Sequence, residues 1–248
     1  MKKLLLSLLL LPVVSFASGD IHLDHADVDL SDKASLQRGL KYVTNYCLSC
    51  HSMAYSRYNR VGLDLGISDE LMETLIISTR DEAGDPSKVG SLMKTSMSKS
   101  YAKEAFGTVP PDLSLTARSR GSDWIYSYLR GFYLDDSRPF GVNNTVFPDV
   151  GMPHVLWRMQ GVQTKKTSSD EHNAEGDHGK VELEAGKGTM SAAEYDQVIL
   201  DITNFMTYVS EPVKMKRQQI GIWVMLFLAV FTFIAYLLKK EYWKDVKH

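Results

Sequence analysis

The sequence predicts a mainly α-helical protein that has long loops and one membrane-spanning helix near its C-terminus. Residues 31–50 place apolar side chains at helical spacing. A Ser-x-x-Glu capping box at residues 191–194 opens a second amphipathic stretch. Residues 220–238 contain no charged side chain, and about 20 such residues are enough to cross the hydrocarbon core of a bilayer. These three stretches indicate a helical body with a C-terminal anchor.

The helix expected over residues 31–50 turns one apolar face toward the protein interior. Ser31 or Asp32 is placed to cap its N-terminus. Gly39 lies on or beside the apolar face, where it would let a second helix approach closely. We therefore expect this helix to cross the last helix of the body at Gly39. The apolar face consists of Leu36, Leu40, Val43 and Cys47.

The rest of the body is expected to contain shorter helices and loops. Residues 68–78 predict a short helix, and Ser122 is placed to cap another helix that Gly131 ends. Residues 164–188 are polar and contain few large apolar side chains. This composition predicts an exposed excursion, to which we assign no chemistry.

The N-terminus has the pattern of a secretory signal peptide. Two lysines precede an apolar stretch at residues 4–14, and small residues follow at the positions that a signal peptidase reads. We expect cleavage after Ala17, so that residues 1–17 are removed and residues 18–213 form the exported body. A first membrane helix is the alternative, but the apolar stretch is too short to span a bilayer.

Residues 214–248 are expected to hold the membrane anchor, at about residues 220–238, and a short tail. Aromatic residues lie near both ends of the apolar stretch, and basic residues flank it on both sides. Because the signal peptide exports the body, the anchor would stop transfer and leave the tail in the cytoplasm. The expected location is the bacterial inner membrane, with the body on the periplasmic side.

The exported body is acidic. Residues 18–213 contain 19 basic and 28 acidic side chains, a net charge of about −9. This charge argues against binding to nucleic acid or anionic lipid and suits a basic partner. An acidic surface also keeps a protein soluble, so the charge alone does not identify a partner.

Both cysteines of the chain lie in the sequence Cys47-Leu48-Ser49-Cys50-His51, which is the attachment pattern of haem c. Two thiols at this spacing can form thioethers with the two vinyl groups of one haem, and the histidine then supplies an axial nitrogen to iron. A thioredoxin-like dithiol would not need the histidine, and a structural zinc site would need more ligands. A disulfide closing so short a loop would add little stability. The pattern predicts one covalently attached haem c.

The second axial ligand is expected to be Met152, which lies in a loop rich in Gly and Pro. A thioether raises the reduction potential relative to a second imidazole and leaves no vacant position for O₂. Met159, Met97 and His154 are the alternatives. Other candidates fail on context, among them Met53, Met206, His22 and His25, the last two in a polar segment that we expect to be mobile.

A rigid turn at residues 107–114 is expected to orient His51. Pro110 and Pro111 have no N–H, but their carbonyl groups are free acceptors. One of them could accept a hydrogen bond from Nδ1 of His51, which would fix the ring and make it a stronger donor to iron.

Taken in order, these motifs resemble those of cytochrome c1, the haem c subunit of the ubiquinol–cytochrome c reductase (cytochrome bc1) complex, in a bacterial form. The matching stretches are CLSCHSM (47–53), VPPDLSLTARSRG (109–121), FPDVGMPHVLW (147–157) and SEP (210–212). The resemblance runs from about Ala34 to the C-terminus. It implies a cytochrome c-like haem domain with long loops.

The resemblance also implies roles for matching residues. Cys47 and Cys50 would carry the thioethers, and His51 and Met152 would be the axial ligands.

Two further residues match positions near the haem propionates in the family. Arg120 matches an arginine that pairs with a propionate, with Arg118 as the alternative. Trp124 matches an aromatic residue near the propionates.

The function implied is one-electron transfer. The haem would accept an electron from the Rieske iron–sulfur protein and pass it to a soluble cytochrome c, in a complex with cytochrome b. This subunit would make or break no substrate bond. One alternative is a membrane-tethered cytochrome c shuttle that feeds a terminal oxidase. Another is a haem enzyme or gas sensor, which would need an open position on the iron.

Overall fold

A computed structural model describes residues 21–81, 83–166 and 183–245 of the chain. In these ranges the protein is mainly α-helical, with short antiparallel strand pairs between the helices. The predicted signal peptide lies outside the described residues, as does the centre of the polar excursion.

The helices are α1 (Lys33–Tyr46), α2 (Tyr58–Leu65), α3 (Asp69–Leu71), α4 (Lys99–Phe106), α5 (Thr116–Arg120), α6 (Ser122–Arg130), α7 (Trp157–Gln160), α8 (Ala192–Ser210) and α9 (Lys214–Tyr242), with a π-helical turn at Met72–Ile76. The strand pairs are β1 (Met53–Arg57) with β2 (Leu92–Met93), β3 (Phe132–Leu134) with β4 (Val142–Asn144), and β5 (Thr164–Lys165) with β6 (Leu183–Glu184).

The core of the fold is the crossing of α1 and α8, and the predicted contact at Gly39 is confirmed. A Cβ atom on Gly39 would overlap the carbonyl oxygen of Asp201 and would lie 2.7 Å from Cβ of Phe205. The backbones of the two helices therefore touch at this point. Ile199, Ile202 and Phe205 of α8 are fully buried against the apolar face of α1.

A buried carboxylate fixes the register of this crossing. Asp201 on α8 is 1% exposed and accepts hydrogen bonds from Oγ of Ser35 at 2.7 Å and from Nε2 of Gln197 at 3.0 Å. The Arg38 guanidinium donates to both of its oxygens, at 2.7 and 2.8 Å. Because a buried charge is costly unless it is paired, α1 and α8 are held in the one arrangement that satisfies it.

The caps of both crossing helices agree with the sequence. Oδ1 of Asp32 accepts from the Ser35 amide at 3.0 Å and caps α1. Ser191 and Glu194 form the predicted capping box at the start of α8.

Several predicted elements differ in detail. The first helix ends at Tyr46 rather than residue 50, because the chain turns at Cys47. The helix over residues 68–78 consists of one turn followed by the π-helical turn. The expected cap at Ser122 is wrong, since Ser122 lies inside α6 and Gly121 precedes it with a φ of 93°.

The segment before α1 is attached to the body, contrary to the expected mobility around His22 and His25. The amide of Ala26 donates to Asp123 at 2.9 Å, and the amide of Asp24 donates to Oγ of Ser127 at 2.7 Å. Arg130 also pairs with Asp24 at 2.6 Å. These bonds fasten the segment along α6.

Helix α9 contains 29 residues and is about 43 Å long. It is the one helix among the described residues that is long and apolar enough to cross a membrane. It extends beyond the predicted span of residues 220–238 at both ends, because the flanking basic residues continue the helix. Its side chains are not buried by the rest of the chain.

Replacing Gly39 by alanine is expected to destabilise the protein by about 3 kcal/mol, because the new methyl group overlaps the backbone of α8. Thermal unfolding of the detergent-solubilised full chain measures this effect. Gly90→Ala is the matched control, since a Cβ there meets no atom within 4 Å, and it should change stability by less than about 0.5 kcal/mol. Equal melting temperatures for the two variants would contradict the close crossing.

Candidate functional site

The end of α1 carries the two cysteines and His51. The chain makes one tight turn here, in which the amides of Cys50 and His51 both donate to the carbonyl of Cys47, at 3.1 and 2.9 Å. Leu48 is 1% exposed and anchors the turn in the core. Cys47 and Cys50 are both half-buried residues and form no disulfide. Both sulfurs are therefore free to bond to another group.

Neighbouring loops hold this turn on both sides. Thr95 donates from Oγ1 to the Ser49 carbonyl at 2.6 Å, and its amide donates to Oγ of Ser52 at 3.0 Å. From the other side, the Leu113 amide donates to the Ser52 carbonyl at 2.8 Å. The attachment segment is thus a rigid part of the fold.

The imidazole of His51 is oriented by the turn at residues 107–114. Its Nδ1 lies 2.8 Å from the carbonyl oxygen of Pro111, so Pro111 rather than Pro110 is the acceptor. Since a carbonyl can only accept, Nδ1 carries the proton and Nε2 keeps its lone pair. Burial lowers the pKa of His51, while the Pro111 hydrogen bond and Asp112 oppose this shift. The ring is held in the neutral form that binds metals.

The loop that contains Met152 is fixed by contacts before the methionine. Asp149 adopts a positive φ of 62°, which is uncommon for a residue other than glycine. Arg138 holds it with two hydrogen bonds, to Oδ1 at 2.9 Å and to the carbonyl at 2.7 Å. The Asp149 amide also donates to Oδ1 of Asn143 at 2.8 Å. This network sets the direction in which the chain enters Met152.

Aromatic side chains connect the Met152 loop to α6. The Tyr128 hydroxyl donates to Sδ of Met152 at 3.4 Å. The Tyr128 ring stacks on Trp124, with centroids 4.8 Å apart, and meets Phe132 edge-on at 5.3 Å. Trp124 also contacts Phe147 of the loop. Burial raises the pKa of Tyr128, so its hydroxyl stays protonated.

Sequence reasoning did not identify Tyr128. Its spacing of four residues from Trp124 on one helix was an available signal that both rings share a face. Nothing local indicated that the hydroxyl would reach a methionine 24 residues away.

The alternative candidates for the second axial ligand lie in different surroundings from Met152. Met159 is 8% exposed and belongs to the hydrophobic core. The His154 ring stacks parallel to Phe132 at 4.8 Å, and burial lowers its pKa to about 4. Met97 lies in the loop that holds the Cys47–His51 turn, where its amide donates to Thr95. Met53 and Met206, set aside from the sequence, are both buried.

Arg120 and Trp124 are brought together, with the guanidinium carbon 5.3 Å from the centroid of the indole ring. Arg120 is exposed and has no ion-pair partner among the described residues. Arg118 is exposed as well. The predicted contact of Arg120 or Arg118 with a haem propionate stays a prediction.

The donor set fits a haem better than a bare metal ion. Within the described ranges, no three His, Cys, Asp or Glu side chains come together to hold a metal. Two unbridged thiols, an imidazole with a free Nε2 and a thioether are instead the groups that bind a porphyrin covalently and ligate its iron on both faces. The chain's own residues thus suit the predicted haem c.

Comparison with known proteins agrees with this chemistry. A family model described as "Cytochrome C1 family" matches residues 26–246. The chain is 50% identical to cytochrome c1 of Allochromatium vinosum, over 99% of this chain and 100% of that one. It is 43% identical to a protein named ammonia monooxygenase gamma subunit of Nitrosomonas europaea, over 99% and 98% of the two chains. It is also 25% identical to cytochrome b/c1 of Bradyrhizobium diazoefficiens, over 86% of this chain and 34% of that one.

The family match spans almost the whole of the described structure, including the Cys47–His51 turn, the Met152 loop and the C-terminal helix. Proteins of this family carry covalently attached haem c and serve in electron transport. The chain belongs to the cytochrome c1 family.

Proposed function

We propose that this chain is the haem c subunit of a ubiquinol–cytochrome c reductase, where it accepts one electron from a Rieske iron–sulfur protein and passes it to a soluble cytochrome c. The observation that carries this proposal is the Cys47–His51 turn, whose free thiols adjoin an imidazole oriented by Pro111. The haem would supply a one-electron couple between ferric and ferrous iron. No proton and no substrate bond would take part.

In this reaction the protein would hold the haem and occupy both axial positions of its iron. Cys47 and Cys50 would fix the porphyrin through thioethers, and Nε2 of His51 would bind the iron on one face. Sδ of Met152 would bind it on the other face. Arg120 and Trp124 would lie near the propionates. Fixed ligands on both faces keep the geometry alike in both oxidation states and exclude O₂.

The surroundings of the candidate ligands favour Met152 over its alternatives. Met159 and His154 are buried against protein side chains. Met97 follows Thr95, whose hydroxyl donates a hydrogen bond to the Ser49 carbonyl in the Cys47–His51 turn. Met152 is half-buried on a loop that Arg138 and Asn143 hold rigidly.

The junction between body and anchor supports a fixed position in a complex rather than a tethered shuttle. Helix α8 ends at Ser210 and α9 begins at Lys214, so three residues separate them. An ion pair between Arg217 and Glu211, at 2.6 Å, spans this junction. A shuttle would need a long flexible linker to reach a distant oxidase. The anchor would lie in the bacterial inner membrane, with the haem domain on the periplasmic side.

The partners are inferred from charge and from the relatives. The acidic body suits weak, salt-sensitive docking of a basic soluble cytochrome c. The name of the Bradyrhizobium relative, cytochrome b/c1, combines a cytochrome b with a cytochrome c1. This supports a cytochrome b as the membrane partner of the chain.

A second candidate comes from the Nitrosomonas relative, whose name assigns it to an ammonia monooxygenase. In that setting the chain would deliver electrons to an oxygenase instead of a soluble cytochrome. Both candidates use the haem as an electron carrier, so they differ only in the proteins bound to it.

Replacing both Cys47 and Cys50 by alanine should abolish covalent haem attachment, because no thiol remains to bond to the vinyl groups. A haem stain of a denaturing gel measures this. Ser49→Ala, between the two cysteines, is the control and should keep the stain. A stained band for the double variant would show that the haem is not attached through these sulfurs.

Met152→Leu should open the iron to carbon monoxide in the reduced protein and lower its reduction potential, because the thioether is lost. Difference spectra with and without carbon monoxide detect the open position. Met159→Leu is the matched control, since it makes the same exchange at a core position and should leave the iron closed. The assignment would be wrong if the wild-type protein bound carbon monoxide promptly, or if Met159→Leu opened the iron instead.

Gentle solubilisation of the membrane should retain a cytochrome b and a Rieske protein with this chain, and the purified assembly should reduce a basic cytochrome c at a rate that falls with ionic strength. Mass spectrometry of the assembly identifies its subunits. Recovery with the subunits of a monooxygenase would favour the second candidate. Recovery of the chain alone or with a terminal oxidase would favour the shuttle.

A further inference from the structure

We infer that the Tyr128 hydroxyl, by donating a hydrogen bond to the sulfur of Met152, raises the reduction potential of the haem. Tyr128 is then a positioning and tuning residue that acts on the iron through its ligand. This inference rests on the proposed ligation by Met152.

The geometry is that of a hydrogen bond rather than a chance approach. The hydroxyl oxygen lies 3.4 Å from Sδ of Met152. Among the described residues, this sulfur is the atom that accepts the hydrogen bond of the Tyr128 hydroxyl. Both the Tyr128 side chain and the Met152 loop are held in place by other contacts. Stacking on Trp124 and the edge contact with Phe132 hold the Tyr128 ring, and Arg138 holds the loop at Asp149.

A second link ties the same turn of α6 to the loop. Nδ2 of Asn144 donates to the Tyr128 carbonyl at 2.7 Å, while its Oδ1 accepts from the amides of Val146 and Phe147. Asn144 is 1% exposed. The main chain at Tyr128 and the start of the Met152 loop therefore move as one unit, which keeps the hydroxyl in register with the sulfur.

A thioether sulfur has two lone pairs, so it can bind iron with one and accept a hydrogen bond with the other. The hydrogen bond draws electron density from the sulfur and makes it a weaker donor. Ferric iron depends on that donation more than ferrous iron does, so the oxidised state loses more stabilisation than the reduced state. Hydrogen bonds to ligand sulfurs tune metal potentials in this way.

The test is a redox titration of the full-length, haem-loaded chain carrying Tyr128→Phe. This change removes one oxygen atom and keeps the ring contacts with Trp124 and Phe132. At a fixed ambient potential we expect the ratio of reduced to oxidised haem to fall about tenfold, which for a one-electron couple corresponds to about 59 mV. Haem content and melting temperature should stay close to wild type.

Tyr126→Phe is the matched control, because it makes the same change two residues earlier on α6, where the ring lies under Arg130 instead of against Met152. Its potential should equal that of the wild type. A second comparison introduces Tyr128→Phe into a protein that also carries Met152→His, and Met152→His alone is its reference. With the sulfur gone, the effect of Tyr128→Phe should shrink to less than about twofold.

The outcomes separate this inference from the proposed ligation. A ferric wild-type protein without the weak far-red band of thioether-ligated haem would overturn both. If the band is present but Tyr128→Phe keeps the wild-type potential, the tuning by Tyr128 is wrong and Met152 ligation stands. Loss of the band in Tyr128→Phe, or an equal shift in Tyr126→Phe or in the Met152→His background, would also overturn the tuning.

Discussion

The direct backbone contact between α1 and α8 at Gly39 determines where the other parts of the molecule lie. Helix α1 ends in the turn that carries Cys47 and His51, and α8 ends three residues before the membrane helix. The two helices touch at Gly39 and share the buried Asp201 network. The Cys47–His51 turn and the anchor are therefore both fixed relative to the crossing of α1 and α8. The proposed fixed position of the haem beside the membrane would depend on this connection.

The two faces of the site are built in different ways. His51, the proposed first ligand, belongs to the same turn of chain as both thiols, and Pro111 and Thr95 form hydrogen bonds to this turn from other loops. Met152, the proposed second ligand, lies on an extended loop whose shape depends on Arg138 and Asn143. The side chains of α6 join this loop to the helical core, so the sulfur is held by tertiary contacts rather than by local secondary structure.

The parts that the sequence predicts are those determined by neighbouring residues. The Cys47–His51 spacing, the Ser191 capping box and the charge-free span are local patterns, and the close contact at Gly39 follows from one small residue on an apolar helix face. The strand pairs were missed, since each strand contains two to five residues and pairs with a strand that is separated from it in sequence. Contacts such as Tyr128 with Met152 depend on how α6 meets the loop, which periodicity does not reveal.

We propose that one imidazole and one thioether occupy both axial positions of the iron, so that the haem exchanges electrons and binds no further ligand. X-ray absorption spectroscopy at the iron edge, on the haem-loaded chain in both oxidation states, tests it most directly. We expect one sulfur and five nitrogen neighbours in each state, with little change in distance between them. A shell of six nitrogen or oxygen neighbours, or a vacant sixth position in the reduced protein, would contradict the claim.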